Sequence, residues 1–192
     1  SSQSFRATLG ASRLANFGRV LVATSCVSLV SFATVPAALA GGANGTYEFK
    51  RAYGTLKYGG KSVDIPESIV RRIAGVVQGD VIIRNQKLKL NRNASARIIK
   101  NLGKDLDFSV ETSVSGPASL ELTKTGNSYS GETRRPIVVS FDGNFHGEDF
   151  SGELVTDVTA TLDNNKLKLV ITFSGDALGD DFNGKVVVIA RR

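Results

Sequence analysis

Carboxylates held close together on glycine-rich turns are what a hard cation such as calcium takes as ligands, and this chain offers that arrangement twice. The stretch "HGEDFSGELV", His146 to Val155, returns thirty-two residues later as "LGDDFNGKVV", Leu178 to Val187. The first copy supplies Asp142, Glu148 and Asp149, and the second Asp176, Asp180 and Asp181, as candidate oxygen ligands for calcium. Their spacing departs from the Asp-x-Asp-x-Asp-Gly loop and from the Gly-Gly-x-Gly-x-Asp calcium repeat. The competing reading is that Asp, Asn and Gly serve turns and bulges here, with Phe150 and Phe182 packing inward.

Composition narrows the remaining chemistry. His146 is the only histidine, and it has no second histidine or serine-histidine-acid spacing around it. That pattern suits a surface residue at a sheet rim. Cys26 is the only cysteine and sits in an apolar leader, so the rest of the chain has no disulfide, thiolate metal site or cysteine nucleophile. No glycine motif of a nucleotide-binding loop precedes a helix. The hydrolase chemistry left open is a carboxylate pair, and nothing in the spacing selects one. The chain therefore reads as a binder rather than an enzyme, with no cofactor implied beyond the calcium option.

Two sets of cations are candidates for meeting an anionic ligand. Arg71, Arg72, Arg97 and Lys100 lie on the polar faces of two helical patterns, and "GETRRPIVV" carries Arg134 and Arg135, which suit a phosphate or carboxylate. Nucleic acid is not indicated, because no aromatic stacking platform is interleaved with these bases.

The elements that must position these residues follow an N-terminal address. Arg6, Arg13 and Arg19 precede an uncharged apolar run from Val20 that ends at Ala38-Leu39-Ala40 after Pro36. This is the pattern of an export signal cleaved after Ala40, which places the domain in a periplasm or outside the cell. The alternatives are a membrane anchor through residues 20–40 and an organelle transit peptide that delivers the domain to a lumen. Residues 41–192 then form a single domain, long enough to bury about 70% of its unfolded surface and not itself membrane-spanning. Its charge is split: residues 41–104 carry thirteen Lys or Arg against four acids, and residues 105–192 carry eight against fourteen. Opposite halves of this kind attract each other in a fold.

Alternation of apolar and polar residues dominates the domain. Val158, Ala160 and Leu162 alternate with polar residues, the Asp163-Asn164-Asn165 turn follows, and Leu167, Leu169, Ile171 and Phe173 resume the alternation. This predicts a hairpin with one buried face. "DVIIRNQKLKLNR" predicts a second hairpin with a two-residue Asn85-Gln86 turn. Two short amphipathic helices are expected over Pro66–Val77 and Ala94–Leu102, the second capped by Asn93 and stopped at Gly103.

Residues 137–155 align on 169–187 at a constant offset of 32, with eight identities in nineteen positions. Two copies are too few for a propeller or solenoid, so the pair reads as successive meander strands with the same glycines and the same inward Phe. The fold expected is mainly β: an antiparallel meander forming a β-barrel or strongly curved sheet, with the helices as a lid. The function expected is an exported non-enzymatic protein that holds a small apolar or amphiphilic, lipid-like anionic ligand in the barrel. The alternatives are a structural or adhesive envelope domain that binds polysaccharide or protein and, behind it, a carboxylate-based hydrolase.

Overall fold

The alternating runs become strands that are longer than the runs taken separately. A computed structural model describes residues 32–33, 42–65, 80–105, 109–145, 147–177 and 180–192. Four strands form its backbone: β2 (Gly45–Tyr58), β11 (Glu148–Asp163), β12 (Lys166–Ala177) and β13 (Asp180–Arg191). They pair antiparallel in the order β11-β12-β13-β2. Both expected hairpin turns are present, with Asn85, Gln86, Asn164 and Asn165 all at positive φ. That is the backbone of a two-residue turn whose twist matches its flanking strands.

The outer edges of β2 and β11 each serve two partners. At one end β2 pairs with β4 (Asp80–Arg84), and at the other with β3 (Lys61–Ile65). Likewise β11 pairs with β9 (Ser128–Glu132) at the first end and β10 (Ile137–Phe145) at the second. β4 continues to β5 (Lys87–Lys89) and then to β7 (Ser119–Glu121). Beyond Leu122, β8 (Thr123–Thr125) returns to β9, so at this end strand pairings, with the chain itself as the link from β7 to β8, lead from β11 round to β11 again. At the other end β10 is followed only by β6 (Ser109–Ser115), and the curl stays open between β6 and β3. The result is a curled antiparallel half-barrel. The short β1 (Phe32–Ala33), within the expected signal, pairs with β4.

Of the two expected helices, Pro66–Val77 lies outside the described residues. The second is α1 (Asn93–Asp105), the one helix among them, which packs against β6 and β10 with Ile99 in the core. It runs two residues past Gly103, the expected stop. Gly103 is buried, and tertiary packing outweighs the cost of about 1 kcal/mol that glycine carries inside a helix.

The concave face is solid where it is deepest. Leu154, Val158, Ala160, Leu167, Leu169, Ile171, Val186 and Val188 have 0% exposure. A side chain lining a water-sized void would retain some accessible surface, so these rows pack against one another directly.

The repeated phrase acquires a physical meaning in the strand register. Phe141 stands opposite Gly152 and Phe150 opposite Gly143 in the β10-β11 hairpin, while Phe173 stands opposite Gly184 and Phe182 opposite Gly175 in the β12-β13 hairpin. Each ring lies over its glycine. A Cβ placed on Gly152 would be 2.7 Å from Phe141 Cε2, on Gly143 2.8 Å from Phe150 Cε1, on Gly184 2.8 Å from Phe173 Cε2, and on Gly175 2.9 Å from Phe182 Cζ. The neighbouring strand crowds the same spot from its other side, with Asp176 O 2.6 Å from that position on Gly152. Glycine thus lets the sheet bend sharply, and the ring restores the lost apolar cover.

The closed end holds one buried phenol. Tyr47 is 1% exposed and donates a hydrogen bond to Ala43 O at 2.8 Å. Burial raises its pKa, while the Arg192 guanidinium opposes that shift by its charge and a hydrogen bond.

Two predictions follow from this packing. Phe141→Ala costs about 3–5 kcal/mol in urea unfolding, and combined with Gly152→Ala it costs less than the two changes summed, by about 0.5–3 kcal/mol. Strict additivity would show that ring and glycine act separately. For Tyr47, the raised pKa means that the folded state holds its proton more tightly than the unfolded one. Stability is therefore full below pH 10, the ordinary phenol value, and declines as pH rises past it. In a pH series of unfolding curves, Tyr47→Phe should start less stable by about 1 kcal/mol and fall less steeply above that pH.

Candidate functional site

The open end is where apolar side chains of the concave face still reach solvent. Val63 of β3 stands opposite Leu56 of β2 and so shares its face; Leu56 is buried, but Val63 is 51% exposed. On the facing edge Val110 and Val114 of β6 are half-buried against the core, as is Phe150 of β11. Helix α1 lies along β6 and β10, with Arg97 and Lys100 exposed. Arg97 Nη2 reaches Asn91 Oδ1 at 3.4 Å. This end combines accessible apolar surface with nearby cations that could meet an anionic head group.

The other predicted cations are elsewhere. Arg71 and Arg72 lie outside the described residues. Arg134 and Arg135 are exposed on the bend between β9 and β10, where Arg134 approaches Glu121 at 3.4 Å and Lys87 approaches the same carboxylate at 3.8 Å. That bend is where β11 changes partners. Thr133 N donates to Val158 O at 2.9 Å, and Val158 N donates to Thr133 Oγ1 at 3.1 Å.

Of the repeated acids, Asp142, Asp149, Asp176 and Asp181 share the convex face near the open rim, while Glu148, opposite Phe145 and two residues before Phe150, falls in the concave row. Asp142, Glu148, Asp149, Asp176 and Asp181 are exposed; for Asp180 the backbone alone is described, and His146 lies outside the described residues. The two copies differ in what stands across the strand pair. In the first, Asn144 Nδ2 donates to Asp149 Oδ1 at 2.7 Å while Asn144 Oδ1 accepts from Gly147 N at 3.0 Å, which braces the turn. In the second, the equivalent positions are Asp176 and Asp181, two carboxylates in register, with Glu153 on the far side of Asp176. Among the described residues no group of three His, Cys, Asp or Glu is arranged to hold a metal ion.

Sequence reasoning missed Glu153 and Glu111, which register places beside Asp176 and Asp142. Strand alternation could have put all four on one face, but only the pairing register shows them as neighbours. No helix among the described residues is long and apolar enough to cross a membrane. Compared with known protein families, with curated proteins and with solved structures, the chain matches none.

Like charges directly opposed across strands are destabilising. Asp176→Asn rebuilds in the second hairpin the amide–carboxylate pair of the first, and should stabilise the fold by about 0.5–1 kcal/mol. Thermal unfolding with and without calcium checks this. A loss of stability confined to the calcium sample would instead mark the acid pair as serving a cation.

Proposed function

We propose that this chain is an exported, non-enzymatic binding protein that holds an amphiphilic anionic ligand at the open end of its half-barrel. The observation that carries the reading is the concave apolar surface left accessible at that end, Val63 on one edge, Val110 on the other and Phe150 two strands in from it. The deep interior has no room for an acyl chain, so the apolar part of the ligand lies in the mouth. Arg97 and Lys100 on α1 face its charged end. The competing reading, a structural or adhesive domain, needs no accessible concave surface. A carboxylate-pair hydrolase needs two acids converging in a cleft, whereas the described in-register acids sit on an exposed convex face.

Titration of the full chain with a fluorescent fatty acid, cis-parinaric acid, tests the reading. Val63→Glu should weaken binding about tenfold, since it sets a carboxylate against the ligand where an apolar contact was. Arg97→Glu with Lys100→Glu should weaken it about five- to tenfold, each exposed charge contact being worth about 0.2–1 kcal/mol. A neutral retinoid should bind that double variant as it binds the unaltered chain. Absence of saturable binding, or identical affinities throughout, would sink the proposal in favour of the adhesive domain.

A further inference from the structure

A second candidate site lies on the opposite, convex face at the closed end. The β2-β13 register passes from Arg51 opposite Ile189 to Phe49 opposite Ala190, so Lys50 is an extra residue in a bulge. A bulge sets two successive side chains on one side of the strand, here Lys50 and Arg51. Next to them β13 presents Arg191, and β12 presents Lys166 directly opposite Arg191. These four cations line an open pocket of about 410 Å3 with Ile189 among them. That size falls within the roughly 300–1,000 Å3 usual for small-ligand sites.

The composition of the hollow is unusual for a sheet surface. Ile189 is 5% exposed yet lies outside the apolar core, on the face that alternation should make polar. With Lys50, Arg51, Lys166 and Arg191 lining the same hollow, it supplies an apolar floor among long basic side chains. Glu48 is the acid in register with Arg191, and its carboxylate is taken by Lys50. Arg51 also lies 5.6 Å from the centre of the Tyr53 ring, which holds its guanidinium over the strand. Two acids border the four cations, Glu48 and, directly opposite Lys166, Asp163, so the hollow keeps an excess of positive charge that a compact anion of charge two or more would offset. Guanidinium forks match the oxygen geometry of a tetrahedral oxyanion, and lysines add point charge.

We propose that this hollow binds a phosphate or phosphate-ester group, with Arg51 and Arg191 as the oxygen-matching pair, Lys50 and Lys166 as flanking charges and Ile189 beneath the ester carbon. The site is independent of the open-end reading, because it lies on the other face and other end of the sheet. A phosphate free in solution and one displayed on a lipid surface share this chemistry, and the test separates them.

The full chain is titrated with inorganic pyrophosphate at low salt while backbone amide NMR shifts are followed, and co-sedimentation is measured with phosphatidic acid vesicles against phosphatidylcholine vesicles. Saturable shifts at residues 50, 51, 166, 189 and 191 are expected, with at least a tenfold loss of affinity in the Lys166→Gln, Arg191→Gln double variant. Lys57→Gln with Lys185→Gln, a control on the same face outside the hollow, should stay within about twofold. Binding of both probes points to a displayed headgroup, and of pyrophosphate alone to a soluble phosphate; each supports the site. Equal losses in the two double variants, or shifts scattered over all lysines, would reduce it to general charge attraction and overturn the proposal. An unchanged amide spectrum away from the substitutions guards against misreading a folding defect.

Discussion

Everything in this architecture depends on letting a wide antiparallel sheet curl tightly without opening holes in its core. A Cβ at the bend would collide with the carbonyl of the neighbouring strand, so the bend requires glycine. Glycine alone would leave bare backbone facing the interior, and the ring from the adjacent strand covers it. Two hairpins use the device reciprocally, each strand giving one Phe and receiving one. The repeat in the sequence is therefore the imprint of this constraint, met twice in consecutive hairpins, and the acids that attracted notice are carried along on the solvent side.

Much of this was legible from residue types. Strict alternation in Val158–Leu162 and Leu167–Phe173 specified one-faced strands, and both turns could be placed because Asn tolerates the positive φ that such turns need, although the second, expected over Asp163-Asn164-Asn165, is the two-residue Asn164-Asn165. Recurrence of the same glycines and Phe pointed to successive meander strands. The cross-strand pairing of each ring with a glycine was not legible, since it depends on register, which the two turns fix only once the strands are in place. The end of α1 escaped for another reason: Gly103 has the residue type of a stop but occupies a buried position where tertiary contact decides. The convex hollow escaped because its residues come from three strands and a bulge that breaks the alternation used to read them.

The charge split between the two halves of the chain is only partly a split in space. Along β11 and β12 the convex face carries Glu153 and Asp176 toward the open rim and Lys166 and Lys168 toward the closed end, and on β13 Asp181 and Arg191 are divided in the same way. All six residues come from the acidic half of the sequence. The interleaving of strands sorts them, so among these six the change of sign runs along the strands and not from one half of the chain to the other.

The handover at Thr133, where β11 passes from β9 to β10 without a break, makes one strand a common ruler for both ends of the molecule. From Leu154 to Leu162 its side chains alternate between a buried interior and a mostly polar exterior. A single inserted or deleted residue anywhere in that span would exchange the two faces for everything beyond it, burying carboxylates and exposing leucines at once. Changes of length are thus confined to the turns, while changes of residue type remain free on the outer face. A lineage carrying this fold can recast its surface chemistry widely while the reading frame of its central strand stays fixed.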